Sequence, residues 1–339
     1  MTKRKVLLIY TGGTIGMIKD YVSGALKAFN FTQILKNIPE LNQLDCIIES
    51  DSFEEPIDSS NMNTDYYIQI AEKIEGHYKY YDGFVVLTGS DTMAYTSSAL
   101  SFMLENLQKP VIFTGSQLPI GYLRTDAKEN LITSIEIASA YENDQPIVKE
   151  VCLYFEYKLY RANRTTKLSA EQFQAFASMN YPPLAESGVH LKFSKHLLLK
   201  PELGEMVVWK NLVTEVVVLK LFPGISKNVV QSILKTPQLK GVILETYGAG
   251  NAPTDSWFIE ELSKAIRKGI HIINVTQCTS GLVLMGHYQT STLLRKIGVV
   301  GAKDMTTESA IAKMMYLLGK GLKKDMFIQY FQKSLRGEI

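Results

Sequence analysis

At 339 residues the chain is long for one domain at roughly 100–200 residues apiece, and its length points to two. With 46% hydrophobic and 21% charged residues it falls among ordinary globular proteins, outside the disordered, collagen-like and membrane classes. A formal net charge of +2, with Lys and Arg spread along the chain, leaves no electrostatic footprint for nucleic acid or anionic lipid.

The first apolar run, 6–10, is too short for a secretory signal, and no window reaches the roughly 18 apolar residues of a membrane helix. A cytoplasmic protein is therefore expected. Short runs rich in Val, Ile, Leu and Phe predict strands at 6–10, 46–48, 84–87, 111–113 and 152–155. Between them, apolar positions at helical spacing predict helices over 65–78, 92–106 and 127–141, the last preceded by Thr125 and Asp126 as caps. The alternation predicts βα units around a parallel sheet buried on both faces. From Tyr181 to Asn211 prolines and isolated polar residues break the period, which places the inter-domain connection there. The pattern then resumes, with strands at 216–219, 241–245 and 271–275 and helices at 226–234, 254–268, 307–318 and 325–335. The Lys320–Lys324 run falls between the last two helices and reads as a solvated turn. The expected fold is α/β: a doubly wound parallel-sheet N-terminal domain (1–190), a connection (191–211) and a smaller α/β C-terminal domain (212–339).

Cys46, Cys152 and Cys278 are odd in number and set among apolar neighbours, as buried free thiols in a reducing compartment would be. His77, His190, His196, His271 and His287 show no ligand spacing, so no zinc site is expected.

The chemistry concentrates at strand ends. The first βα junction reads TGGTIGM (11–17). It fails as a dinucleotide turn because glycine is missing where Thr11 stands, and no Walker lysine follows. What it offers is two hydroxyls, Thr11 and Thr14, on a backbone that a substrate can approach closely. The third strand ends in LTGSDTM (87–93), which adds Ser90 and Asp91. Neighbouring strand ends of a doubly wound sheet flank one crevice, so these hydroxyls can converge. A hydroxyl nucleophile needs a base or cationic partner, and Lys167 of RANRTTK (161–167) can supply one beside Asp91.

These segments, together with DSSNM (58–62), GSDTMAYTSSALSFMLENLQKPVIFTGSQLP (89–119), LYRANRTTK (159–167), YGAGNAP (247–253) and NVTQCTSG (274–281), resemble those of bacterial type I, cytoplasmic L-asparaginases in the same order along nearly the whole chain. The resemblance implies that Thr14 is acylated by the substrate and that Ser90, Asp91 and Lys167 form the supporting triad. It also implies that Asp58, Ser59 and Ser60 hold the α-ammonium and α-carboxylate, with Gly13, Gly89, Gln117 and Tyr21 completing the substrate contacts. Backbone N–H groups of the glycine turn and of the Ser116–Gln117 turn would face the oxyanion, and no metal or organic cofactor would be needed. Where the family reads HGTDTM, this chain has Thr88 for the histidine and Ser90 for the threonine. The loop bearing Tyr21, with Gly24 as a hinge, does not align cleanly with the family's closing loop.

By the same resemblance the expected reaction is hydrolysis of L-asparagine to aspartate and ammonia. Glutamine is an alternative substrate, since one methylene is discriminated by only about 1–3 kcal/mol, and amino-acid binding with impaired catalysis is another outcome. A role in transfer-RNA amidation would call for a basic face or added domain that the charge does not suggest. The resemblance further implies a homodimer or homotetramer whose site is completed by a neighbouring subunit, with Asn251 and 276–279 near subunit contacts or a separate asparagine site that includes Cys278.

Overall fold

The structure, a computed structural model, describes residues 3–19, 26–28, 38–201, 204–287 and 289–339. Tyr21 and Gly24 lie outside the described residues. The chain divides into two compact units, Met1–Lys210 and Asn211–Ile339.

In the first unit, β1 (Arg4–Gly12), β2 (Cys46–Ile57), β3 (Gly83–Leu87), β4 (Val111–Thr114) and β5 (Val151–Phe155) pair in parallel. Their spatial order is 2-1-3-4-5, the doubly wound order whose switch point lies between β1 and β3. Val6, Leu8 and Tyr10 of β1 join Val85, Leu87, Ile112 and Cys152 in a core completed by Leu131, Ile135 and Ala138 of the helix α3 (Ala127–Ala138). The alternate residues Leu7, Ile9, Phe84, Val86 and Phe113 are equally buried. Both faces are therefore covered, which is why these strands read as unbroken apolar runs. Two more helices, α1 (Thr64–His77) and α2 (Met93–Met103), follow β2 and β3. Within α2 every residue except Tyr95 is buried, as an apolar helix without a polar face requires.

Several elements differ from the sequence reading. β2 continues to Ile57 rather than stopping at 48, through ESDSFEEP. It is the sheet's edge, where polar side chains meet water and mask the strand signal. The helix expected over 92–106 ends at Met103, because Leu104–Glu105 turns away to pair with Val207–Val208. The helix expected to run to 141 ends at Ala138, and Tyr141–Glu142 forms a hairpin with Gln145–Pro146. Asn143 and Asp144 both have φ near +50 to +60° there, the turn chemistry that Asn and Asp tolerate. Beyond β5 the sheet becomes antiparallel through β6 (Lys158–Arg161), β9 (Ala185–Glu186) and β10 (Lys192–Phe193). The intervening β7 (Thr166–Lys167) and β8 (Phe176–Ala177) form a separate pair.

β5 and β6 are tied by a buried ion pair. Arg161 Nε donates to Glu150 Oε2 at 2.6 Å, both side chains being 3% exposed. Arg161 Nη2 also donates to the Leu197 carbonyl, and Glu150 Oε1 accepts from the Leu199 N–H.

The second unit is a parallel sheet of β11 (Val216–Lys220), β12 (Gly241–Thr246), β13 (His271–Thr276) and β14 (Val300–Gly301) in chain order. Its helices are α4 (Lys227–Leu234), α5 (Ser256–Arg267), α6 (Gln289–Ile297), α7 (Thr307–Gly319) and α8 (Lys324–Gln332). α6 and the two-residue β14 escaped the sequence reading. The lysine run occupies the turn between α7 and α8, where Gly321, Lys323 and Lys324 are exposed. Cys152 is buried and Cys46 half-buried, but Cys278 is exposed. That corrects the expectation of a packed thiol: Cys278 lies past the end of β13, in a turn where its N–H donates to Thr276 Oγ1. Among the described residues, no helix is long and apolar enough to cross a membrane.

Two stability predictions follow from these contacts. Glu150→Ala would leave Arg161 charged, buried and unpaired, and is expected to destabilise the first unit by about 3–5 kcal/mol, measured by denaturant unfolding. In the second unit, desolvation and then the charge of Lys324 push the His271 pKa down to about 4 from 6.5, and the ring stacks on Phe327 at 3.8 Å. Above pH 6.5 the imidazole is neutral whether folded or unfolded. As pH falls below that value the unfolded chain takes up the proton first, so stability should decline down to about pH 4. A thermal-melt series over this window should show a shallower decline in His271→Gln.

Candidate active site

The site is built where β1, β2 and β3 end. Gly12 and Gly13 close β1 with φ of +136° and +87°, conformations that only glycine adopts without strain. A Cβ on Gly12 would lie 2.1 Å from the Ile57 carbonyl oxygen, and one on Gly13 would lie 2.4 Å from the Gly89 nitrogen. On Gly89 it would meet Ser59 Oγ at 2.4 Å. The ends of β1, β2 and β3 therefore pack without room for a Cβ, Gly12 on the Ile57 backbone, Gly13 on the Gly89 backbone and Gly89 on the Ser59 side chain.

Each turn presents its side chains in a defined way. Thr11 is fully buried and donates its hydroxyl to the Leu87 carbonyl at 3.1 Å, which spends it on joining β1 to β3. Thr14 opens a single 3₁₀ turn, Thr14–Gly16, and is half-buried. Of the two candidate threonines, Thr14 is the one that is not fully buried. Asp58 caps the short Ser59–Asn61 turn, its Oδ1 accepting from the Ser60 hydroxyl and, at 2.8 Å, from the Ser60 N–H. Those two donors, the hydroxyl first, hold its carboxyl below the ordinary carboxylate value. Ser59 is buried, while Asp58 and Ser60 are exposed.

At the third turn Lys167 Nζ donates to Ser90 Oγ at 2.8 Å and to Asp91 Oδ1 at 2.7 Å. Lys167 is 16% exposed in its side chain and Asp91 68%. The lysine arrives from β7, far beyond the parallel strands. Ser90 Oγ in turn donates to Gln117 Oε1 at 3.2 Å, and Gln117 Nε2 donates to the Gln172 carbonyl at 3.1 Å. Thr88, standing where the family has histidine, is 1% exposed, and its N–H pairs with the Thr114 carbonyl. Ser90, Asp91, Lys167 and Gln117 thus form one connected cluster. Gly13 and Gly89 are in direct contact beside it, and Ser59 packs on Gly89.

One expectation is corrected. The Gln117 N–H does not point at a prospective oxyanion, because it donates to Asp126 Oδ2 at 2.8 Å, and the Leu118 N–H donates to Asp126 Oδ1 at 3.1 Å. Asp126 consequently does not cap α3 as its sequence position suggested. Neither this grip nor the Gln172 carbonyl was visible in the sequence, since both depend on turns meeting across the fold. Among the described residues no three His, Cys, Asp or Glu side chains gather as metal ligands would.

Sequence comparison places the chain in a known group. Residues 5–199 match the family model "Asparaginase, N-terminal" and residues 215–331 match the "Glutaminase/Asparaginase C-terminal domain" model. The chain belongs to the asparaginase family. It is 42% identical to L-asparaginase 1 of Escherichia coli (strain K12) over 340 residues, covering 100% of this chain and 99% of that protein. It is 40% identical to the 60 kDa lysophospholipase of Mus musculus, of whose length the match spans 63%. The crystal structure of L-asparaginase I from Vibrio cholerae O1 biovar eltor str. N16961 superposes with a TM-score of 0.91 at 38% identity, covering 100% of this chain and 99% of that one.

The glycine contact can be tested by a paired substitution. Gly13→Ala is expected to cost at least about 1–2 kcal/mol of stability through its left-handed φ alone, with the clash against Gly89 added. Gly76→Ala, in α1 with open space around its Cβ position, should be neutral or stabilising by up to about 1 kcal/mol. Urea titration of both variants provides the comparison.

Proposed function

We propose that this chain is an L-asparaginase, hydrolysing the side-chain amide of L-asparagine to aspartate and ammonia through an ester on Thr14. The observation that carries the reading is the Ser90–Lys167–Asp91 cluster, set beside the glycine turn that bears Thr14. In this reading Asp58 and Asp91 take the α-ammonium group and Ser59 serves the α-carboxylate, with Ser60, whose hydroxyl and N–H both donate to Asp58, holding the Asp58 carboxylate in place.

In the first step Thr14 Oγ attacks the amide carbon and its proton passes into the Ser90–Lys167–Asp91 relay. The C–N bond then breaks, the proton is returned to the leaving nitrogen, and ammonia departs. Water attacks the resulting ester by the same relay, releasing aspartate and restoring the Thr14 hydroxyl. With the Gln117 N–H committed to Asp126, the oxyanion is assigned to backbone N–H groups of the glycine turn and of Ser116. Ser90 keeps the hydroxyl of the family's threonine but lacks the methyl that stiffens χ1, so its direction depends on Lys167 and Gln117. Tyr21 is proposed as the closing tyrosine on the resemblance alone. A cytoplasmic location and a homodimer or homotetramer, with the site completed by a neighbouring subunit, belong to the same proposal. Sedimentation showing only monomer under active conditions would remove the shared site.

Ammonia release from asparagine and from glutamine, on the wild-type chain and on Thr14→Ala, tests this reading. Release selective for asparagine that falls on the order of a thousandfold or more in the variant is expected. Faster glutamine turnover would reassign the substrate. Tight asparagine binding without release from either amide would make the chain an amino-acid-binding protein.

A further inference from the structure

Two helices of the first unit begin at the site, and neither is capped by the residue at its N-cap position. Thr92 precedes α2 and Asp126 precedes α3. Both are of the types whose side chain ordinarily accepts from the helix's own first turn, yet neither makes that bond. Asn63 at α1, Ser226 at α4 and Thr306 at α7 do make it, while Asp255 at α5 does not. What sets Thr92 and Asp126 apart is where their side chains go.

Thr92 Oγ1 donates to the Ser59 carbonyl at 2.8 Å. That single bond fastens the Asp58–Asn61 turn to the helix start carrying Ser90 and Asp91. Asp126 uses both carboxylate oxygens on the Gln117 and Leu118 N–H groups, and Asn130 Nδ2 bridges Asp126 Oδ2, at 3.3 Å, to the Gly115 carbonyl, at 3.0 Å. Asp126 is 5% exposed and Asn130 fully buried. The cap that Asp126 forgoes is supplied one residue earlier, where Thr125 Oγ1 accepts from the Ala127 N–H at 3.0 Å. The turn so held is the one that sets Gln117 Oε1 against the Ser90 hydroxyl.

We propose that Thr92 and Asp126 are positioning residues whose diverted caps hold two different parts of the site. This rests on reading Asp58–Ser60 as the turn that binds the amino-acid end of the substrate and Ser90 as the proton carrier. Thr92 fixes the spacing between that turn and Asp91, and so governs substrate binding. Asp126, acting through Gln117, fixes the direction of the Ser90 hydroxyl, and so governs the chemical step. A merely structural role would not separate the two effects.

The experiment is steady-state ammonia release from asparagine by the full chain carrying Thr92→Val, Thr92→Ser or Asp126→Asn. Losing one neutral hydrogen bond in Thr92→Val should raise KM roughly three- to tenfold with kcat within about twofold of wild type, and Thr92→Ser should restore it. Asp126→Asn keeps one acceptor and loses the other, orphaning an N–H of the 117–118 turn. It should lower kcat roughly tenfold and leave KM within about twofold. Folded variants that lose thermal stability yet keep both constants within about twofold of wild type would overturn the proposal. So would a loss of kcat alone in Thr92→Val. If Asp126→Asn does not fold, the Thr92 pair decides.

Hydrogen exchange on the same proteins separates this proposal from the functional reading. Faster exchange confined to 58–62 in Thr92→Val and to 115–118 in Asp126→Asn is expected. A wild-type chain that releases no ammonia would sink the reading of the reaction, and the exchange data would still decide the fastening. Unchanged exchange in both segments would overturn it.

Discussion

The site depends on how closely three strand ends can approach one another. Side chains normally hold adjacent turns several ångströms apart, but at Gly12, Gly13 and Gly89 there is no Cβ to do so. The Ile57 carbonyl, the Gly89 amide and the Ser59 side chain each occupy space that a methyl group would fill. Once the backbones touch, every residue next to them is placed within a small volume: Thr14 follows Gly13, Ser90 follows Gly89, and Asp58 follows Ile57. The switch point of the 2-1-3-4-5 sheet provides the crevice, and the glycines bring its three walls together. The Thr11 hydroxyl bond to Leu87 stitches the two central walls just beneath.

The parallel half of the fold was readable in the sequence because its physics is local and strong. Strands buried on both faces must be apolar along their whole length, so β1, β3, β4 and β5 announce themselves, and the helical spacing of Ile70, Ala71 and Ile74 marks α1. The parts that stayed hidden carry weaker local signals. β2 runs along an edge, so ESDSFEEP looks like a loop although it is strand. β6, β9 and β10 are short antiparallel additions held by pairing partners far away in the chain, and α6 and β14 are short elements in the second unit. Within the site the hydroxyl, carboxylate and lysine residues were legible as motifs, and the contact between Lys167, Ser90 and Asp91 gives them a common geometry. The direction of hydrogen bonds was not legible. Asp126 sits where a helix cap belongs, and only the neighbouring turn explains why its carboxylate looks elsewhere.

Two kinds of polar burial support this arrangement, and they act differently. The Glu150–Arg161 pair is sealed from solvent, with Arg161 also donating to the Leu197 carbonyl and Glu150 also accepting from the Leu199 N–H. A pair of this kind adds little net stability over an apolar substitute, but it penalises any packing that leaves one partner alone. It therefore fixes the strand leading to Lys167 in one register. The site pair is the opposite case. Asp91 is largely exposed and Lys167 is not, so the cation is held by the protein while the anion remains open to whatever enters.

Lys167 and Asp91 stand 76 residues apart in sequence, with β4, β5, β6 and α3 between them. The entropy of closing so long a loop is recovered only after the intervening strands have paired. A nascent or partly folded chain therefore has its nucleophile candidate and its acid early, at the ends of β1 and β3, but acquires its amine late. The cluster of Lys167, Ser90 and Asp91 is therefore completed by the docking of β7 rather than by the formation of the sheet.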